Sequence, residues 1–319
     1  MIALTPYAHG IHALDSGYGR PGHDAIHLLI EGERAAFIDT GTTHSVPLML
    51  EALARLGLAP RQVQFVILTH IHLDHAGGPG ALMRALPAAE LIVHPRGARH
   101  MIDPTVLMAA TSAVYGPAAT LAMYGEVAPV AEARVRTAPH DTVLHLGERE
   151  LLLIDTPGHA RHHLTVCDRR SGHCFTGDTF GVSYRELDTQ GRTFVFPSTS
   201  PSQFDPSALH RSIDLIASLQ PAAVYVTHYS QVRDIPRRAA DLHRLIDAHV
   251  DIARRERAAG SARQERIRAQ LIELVARESV QQGWALQGAA AAQFMAIDTQ
   301  LNAQGLVAWL DSLGSGAGA

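Results

Sequence analysis

The stretch Thr69-His70-Ile71-His72-Leu73-Asp74-His75-Ala76-Gly77-Gly78 places four groups able to bind a metal within six residues. It continues Phe65-Val66-Ile67-Leu68, an apolar, β-branched run that reads as a buried strand. Residues two apart at the end of a strand point to the same side. His70 and His72 can therefore present imidazoles to one ion. Asp74 and His75 fall where the chain turns towards a helix and can reach a second ion nearby, and Gly77 and Gly78 allow tight backbone geometry there. A solvated, histidine-rich loop is the plain alternative, but three histidines at the end of a buried strand gain nothing from packing.

Four further segments put an acid or a histidine at the close of an apolar run: Ala36-Phe37-Ile38-Asp39-Thr40-Gly41, Ile154-Asp155-Thr156-Pro157-Gly158-His159, Thr176-Gly177-Asp178 and Val226-Thr227-His228. Singly, each reads as turn chemistry. Together they gain weight, because open sheets present their ligands at strand ends. The surrounding pattern agrees. Residues 26–32 and 35–41 read as adjacent strands with a Gly32-Glu33-Arg34 turn, and 45–57 as a helix stopped by Gly57. Residues 65–70 and 90–95 read as strands, and the Ala- and Met-rich stretch 97–130 as helices and loop. Short strands follow near 142–146, 150–156, 163–168 and 173–177, then a helix over 206–219 and a strand over 223–228. Strands interleaved with helices predict an α/β fold, a sheet covered by helices.

At 319 residues the chain suits one large domain, or one with an appendage. Apolar residues at 46% and charged residues at 18% are an ordinary globular balance. A net charge of −4 speaks against a nucleic-acid partner, whose phosphates need a basic surface. There are 20 histidines against 7 tyrosines, and histidine is the commonest metal ligand. No apolar run reaches about 18 residues and no basic start precedes an apolar one, so neither a membrane span nor a signal peptide is expected. Cys167 and Cys174, flanking a tight turn, read as reduced thiols of a cytoplasmic protein. Composition changes near Ile235. Residues 236–310 are rich in Arg, Ala and Gln, with helical periodicity over 241–258 and 262–279, and the tail 314–319 (GSGAGA) is expected to be disordered.

In this order, Asp-Thr-Gly, His-x-His-x-Asp-His, a lone His, an Asp and a lone His, the motifs resemble the metallo-β-lactamase fold superfamily, over about residues 10–230. The resemblance implies an αββα sandwich of two mixed β-sheets with outer helices. It implies a catalytic domain over 1–235 and a helical C-terminal region over 236–319. Carried over, it gives one metal His70, His72 and His159, and a second Asp74, His75 and His228. Asp178 would bridge the two, and Asp39 would orient the ligands through hydrogen bonds. Imidazole and carboxylate donors without thiolate suit zinc, and also iron or manganese. Two divalent ions can hold a bridging hydroxide, a nucleophile at neutral pH, and Asp74 is the candidate to accept a proton in turnover.

Within the superfamily, Asp178 argues against a true β-lactamase. The full ligand set is closer to glyoxalase II thioesterases and lactonases, and TGDTFGVSY (176–184), residues 196–214 and VTHYS (226–230) look like a prokaryotic subgroup of metallo-hydrolases. The expected activity is hydrolysis of an ester, thioester or lactone, with a small-molecule substrate. An iron-dependent oxidoreductase of dioxygenase type is the alternative, separated by metal identity. A regulatory protein without catalysis is disfavoured by the intact ligand set. An aspartic-protease reading of Asp39-Thr40-Gly41 fails because the chain has no second such motif. Tyr184 is a candidate substrate contact able to donate to an oxyanion, against the plainer reading of a packed loop tyrosine. Phe180, Phe194 and Phe196 read as cleft lining or as core. The C-terminal helices are open to two roles, a cap over the cleft or a homodimer contact.

Overall fold

Seven strands follow one another, in chain order, across the first sheet: β1 (Leu4–Pro6), β2 (Ile11–Asp15), β3 (Ala25–Glu31), β4 (Arg34–Ile38), β5 (Val63–Ile67), β6 (Glu90–Val93) and β7 (Val135–Thr137). The strands from β1 to β4 pair antiparallel and those from β4 to β7 parallel. The computed structural model describes residues 2–199 and 203–315. The parallel half needs crossovers, and helices supply them: α1 (Val46–Arg55) between β4 and β5, α2 (Leu73–Ala76) and α3 (Pro79–Ala85) between β5 and β6, then α4 (Ala98–Ile102), α5 (Thr105–Tyr115) and α6 (Pro117–Tyr124) before β7. The second sheet runs β8 (Thr142–Leu146), β9 (Arg149–Asp155), β10 (Leu164–Asp168), β11 (His173–Gly177), β12 (Ala223–Val226) and β13 (Ser230–Val232). It too is mixed, antiparallel from β8 to β11 and parallel between β11 and β12.

Alternation along the strands sets the layers. Leu28, Phe37, Val66 and Leu91 pack with Met49, Leu53 and Leu82 of the helices, while their neighbours Leu29, Ile38, Ile67 and Ile92 pack with Leu144, Leu153, Val166 and Phe175 of the second sheet. One-residue steps along a strand reverse the face, so the first sheet buries one side under helices and the other against its partner sheet. Cys167 and Cys174 are cross-strand neighbours on β10 and β11, both buried and both free thiols.

The chain divides into two compact units. The sandwich unit comprises Met1–Asp155, His162–Gly177 and Ala222–Gln231; the helical unit comprises Thr156–Arg161, Asp178–Pro221 and Val232–Ala319. The helical unit carries α7 (Pro206–Ser218), α8 (Ile235–Arg255), α9 (Arg263–Gln282), α10 (Ala289–Phe294) and α11 (Ala296–Ser315). The expected division at residue 235 thus differs from the observed one, because two segments between strands join the C-terminal helices. Gly158 explains one of them: a Cβ there would meet Leu209 Cα at 2.3 Å, and the Asp205 N–H donates to the Gly158 carbonyl at 2.8 Å. The expected disorder of the tail falls, for 316–319, outside the described residues; Gly314 and Ser315 belong to α11. Among the described residues no single helix is long and apolar enough to cross a membrane, although α5 and α6, bent by 114°, pass that test together by length and composition.

Candidate metal centre

The chain leaves β5 at Ile67 and immediately changes partners. Leu68 donates its N–H to the Ile92 carbonyl, and Thr69 donates its own to Asp39 Oδ1 at 2.8 Å. The Thr69 hydroxyl donates to Asp39 Oδ2 at 2.9 Å. Asp39 follows β4 in a left-handed conformation, φ 61°, which a short polar side chain tolerates. Its Oδ2 also accepts from the Thr227 hydroxyl at 3.2 Å, beside His228, and lies 3.7 Å from His75 Nδ1. One carboxylate therefore ties together three segments that carry donors. Thr40 holds the far side of the loop: its N–H and hydroxyl both donate to the His75 carbonyl. Gly77 and Gly78 donate to the Gly41 carbonyl, and Cβ atoms on them would meet Leu73 O at 2.5 Å and Thr42 O at 2.9 Å. The two glycines are needed because backbone fills the space a side chain would take.

Within the sandwich unit this brings together His70, His72, Asp74, His75 and His228. His70 Nε2 and His72 Nδ1 are 2.9 Å apart, and the His70 and His75 ring centroids are 4.2 Å apart. Asp74 Oδ2 lies 3.6 Å from both His75 Nε2 and His228 Nε2. His228 Nδ1 donates to the His23 carbonyl at 2.9 Å, which makes Nε2 the nitrogen that a metal would take. Thr69 Oγ1 stands 3.1 Å from His70 Nδ1 and can do the same for His70. His163, on the strand side of the following loop, stacks on His70 with centroids 4.9 Å apart. The remaining two expected ligands lie in the helical unit and meet each other there. His159 Nε2 is 3.5 Å from Asp178 Oδ2, and His159 Nδ1 donates to the Ser198 carbonyl at 3.1 Å.

Asp24 is a member of this cluster that the sequence did not point to. It is fully buried, and among the described residues no hydrogen bond of ordinary distance reaches either carboxylate oxygen, although the Ser16 side chain favours its charged form. Donor atoms of Asp24, His75 and His228 all lie within 4.8 Å of one another. Burial pushes the Asp24 carboxyl up to about 7, against the pull of His75 and His228. Burial also opposes charge on Asp74, but the surrounding imidazoles of His75, His228 and His72 hold it well below the usual carboxylate range. A buried carboxylate with the ring nitrogens of His75 and His228 within ligand distance is a place that a cation would stabilise, so these residues fit a divalent metal. Asp24 precedes β3 in a turn-like Pro21-Gly22-His23 context; the Ala25 N–H to Thr227 carbonyl bond and the His228 Nδ1 to His23 carbonyl bond bring it beside His228.

Beside the ligand loop, Leu73 packs with Tyr124 and Val127, flanked by Tyr18, Leu107, Met108 and Met123. This apolar wall comes from α5, α6 and the segment after β2. Tyr184 is buried in the helical unit, where its hydroxyl donates to Asp298 Oδ1 at 2.7 Å. Phe180, Phe194 and Phe196 are buried in the same unit, Phe194 against Trp284 and Phe196 against His249. His94 is partnered by Asp155 and the Arg96 N–H, away from the cluster.

Two face-to-face mixed sheets with histidine and aspartate donors gathered at strand ends define a metal-binding sandwich of the αββα class. The model of the metallo-β-lactamase superfamily matches residues 20–228, and the chain belongs to that superfamily. It is similar to a hydroxyacylglutathione hydrolase of Xanthomonas campestris, 32% identical over 188 residues, which are 59% of this chain and 54% of that protein. The chain thus spans about half the length of that relative. It is also similar to an acyl-coenzyme A thioesterase of Gallus gallus, 30% identical over 56% of this chain and 67% of that one. Among solved structures, a metallo-β-lactamase family protein of Thermus thermophilus superposes with a TM-score of 0.63 over 96% of this chain and 94% of its own, at 19% identity. That likeness bears on the fold.

Proposed function

We propose that the protein is a binuclear metal-dependent hydrolase acting on a small ester, thioester or lactone. The observation that carries the reading is the Asp39-tethered convergence of His70, His72, Asp74, His75 and His228 on a buried, cation-demanding pocket beside Asp24. The family pattern also calls for His159 and Asp178, which meet each other within the helical unit. The ions, probed first as zinc, would supply Lewis acidity towards a carbonyl and acidify a water. The protein's own contribution is positional. Asp39 fixes the loop, the His23 carbonyl fixes the His228 tautomer, and Asp74, held ionised between two imidazoles, is the group to take up a proton at Oδ2. The wall of Leu73, Tyr18, Tyr124 and Met108 would receive an apolar acyl group and keep water from it. The two enzymes named above, a hydroxyacylglutathione hydrolase and an acyl-coenzyme A thioesterase, support thioesters as the first class to screen.

The test is metal content per chain after purification without added metal, combined with a screen of thioesters and lactones. Close to two zinc ions and turnover that disappears in His72→Ala are expected. Full metal content and activity in His72→Ala would remove the site. One or two iron ions with oxygen uptake would replace hydrolysis by oxidative chemistry.

A further inference from the structure

Two histidines and two aspartates not named above face one another across α7 and α8, all within the helical unit. His210 and Asp214 lie four residues apart on α7, and His243 and Asp247 four apart on α8, so each pair shares one helix face. The pairs are crossed. His210 Nε2 is 3.2 Å from Asp247 Oδ1, and His243 Nε2 is 2.9 Å from Asp214 Oδ1. The two Nδ1 atoms approach to 2.6 Å. The ring centroids are 4.9 Å apart and the planes 11° from parallel. With the nitrogens so much closer than the centroids, the rings lie edge to edge, and the two Nδ1 atoms point at each other.

The carboxylates favour one tautomer. An ionised carboxylate only accepts, so each Nε2 carries the proton and donates it. Each Nδ1 then offers a lone pair, and the two lone pairs are aimed at each other. Such an arrangement is repulsive unless a proton or a metal cation lies between them. A carboxylate behind one ring nitrogen and a free lone pair on the other is the arrangement by which proteins orient histidine for metal binding. Here it occurs twice, in mirror relation. The principal centre shows the same close approach of two donors, 2.9 Å between His70 Nε2 and His72 Nδ1.

We propose that His210 and His243 form a separate, surface-accessible site for a divalent transition-metal cation, bound through both Nδ1 atoms and supported by Asp247 and Asp214. The imidazoles are about a quarter exposed, 27% and 28%, so an ion reaches them from solvent with water completing its coordination. Metal–nitrogen bonds of about 2.0–2.1 Å place two nitrogens on one ion about 3 Å apart. Turning each partly exposed ring so that its lone pair leaves the Nδ1–Nδ1 line, with the nitrogens moving apart, brings both lone pairs onto one ion. Neutral imidazole selects zinc, copper or nickel over calcium or magnesium.

The site joins α7 to α8 at a useful place. Leu209, next to His210, is the residue on which Gly158 packs, and Ser212 Oγ donates to the Pro157 carbonyl at 2.6 Å. A metal staple at His210 and His243 therefore holds the helix that supports the His159 loop.

The test is titration of the purified, metal-retaining protein with zinc alone, followed by calorimetry and by the histidine Hε1 resonances. One further equivalent is expected, shifting the two resonances that disappear in His210→Gln and His243→Gln. Each of those variants should lose the extra equivalent while keeping the metal retained through purification. Asp214→Asn and Asp247→Asn should weaken it about tenfold or more. Retention of the extra equivalent in the His210→Gln, His243→Gln double variant would overturn the proposal. So would binding that the two Asp→Asn variants leave unchanged, since that is the behaviour of independent surface imidazoles. A pair that takes up no zinc, its Nδ1 atoms bridged by a proton instead, would overturn it too. Metal retained through purification reports on the principal centre, and the titrated equivalent on this one, so either can fail alone.

Discussion

In the sandwich unit Arg149 meets Asp168 at 2.5 Å with neither side chain reaching solvent. In the helical unit Arg244 grips Glu278 with two bonds, at 2.5 and 2.8 Å, while half of the arginine side chain stays exposed. The chemistry is the same and the surroundings differ. Arg149 also donates to the His9 carbonyl at 2.8 Å, so it joins β9 to β10 and to the start of the first sheet. Burial alone would push the Asp168 carboxyl up, but the Arg149 and Ser171 hydrogen bonds hold it below its usual range. Arg244 fastens α8 to α9 at the surface, where water can replace it. The first pair should act as a structural keystone and the second as a trim.

The largest expected effect follows from that contrast. Arg149→Met leaves the Asp168 carboxylate buried without its cation, and breaking a buried pair by removing one partner costs about 3–5 kcal/mol. Urea denaturation should show that loss in the unfolding free energy. A loss under about 1 kcal/mol would mean that water reaches Asp168, and the contrast between the two pairs would collapse.

Acid sharpens the comparison, because each unit buries a neutral histidine. Burial pushes His27, on β3, down to about 3, and His249, on α8, down to about 4, the latter partly offset by its bond to the Leu245 carbonyl. In the unfolded chain both titrate near 6.5. Between 6.5 and the folded value the unfolded state binds more protons, so stability is full above pH 6.5 and falls as pH drops towards 4. For His249 the shift amounts to about 3 kcal/mol at most. Denaturation midpoints measured from pH 7.5 to pH 4 should flatten in His249→Met relative to the parent. An unchanged slope would show that His249 is solvated when folded.

The two units also differ in how legible they were. The donors of the sandwich unit sit at strand ends, and apolar runs such as Phe65–Leu68 and Ala36–Ile38 announce strand ends in one dimension. The Asp-Thr-Gly and His-x-His-x-Asp-His segments could therefore be read as one site, with Asp39 as the group that orients it. Asp24 could not, because nothing local marks it; it enters through the pairing of β3 with the segment carrying His228. Strands β1, β2 and β7 escaped as well, being short and interrupted by Pro6, His12 and Arg136. Residues 65–70 read as one strand, yet the strand stops at Ile67 because Thr69 turns its N–H to Asp39. In the helical unit the composition change near Ile235 revealed helices but not their partners. Tyr184 finds Asp298, and Thr199 finds Asn302, across more than a hundred residues. Such polar pairings depend on how helices assemble, and no periodicity encodes them. The crossed His210–Asp247 and His243–Asp214 pairs are of the same kind.

The smallest expected effect tests the weaker pair directly. Arg244→Met should cost about 1–2 kcal/mol, since its guanidinium is largely hydrated and Glu278 keeps the Gln282 amide at 2.7 Å. Glu278 is itself nearly buried, however, and its carboxyl is held below the usual range, against burial, by the Arg244 and Gln282 hydrogen bonds. Removing the arginine therefore leaves a charge that neutralisation should relieve, and Glu278→Gln added to Arg244→Met should recover part of the loss. In the sandwich unit Asp168→Asn should recover less of the Arg149→Met loss, because the backbone carbonyls that Arg149 served remain without it. A double-mutant cycle on each pair, read by urea denaturation, compares the two recoveries. If Arg244→Met costs as much as Arg149→Met, burial of the acid alone sets the strength of these pairs, and exposure of the arginine does not matter.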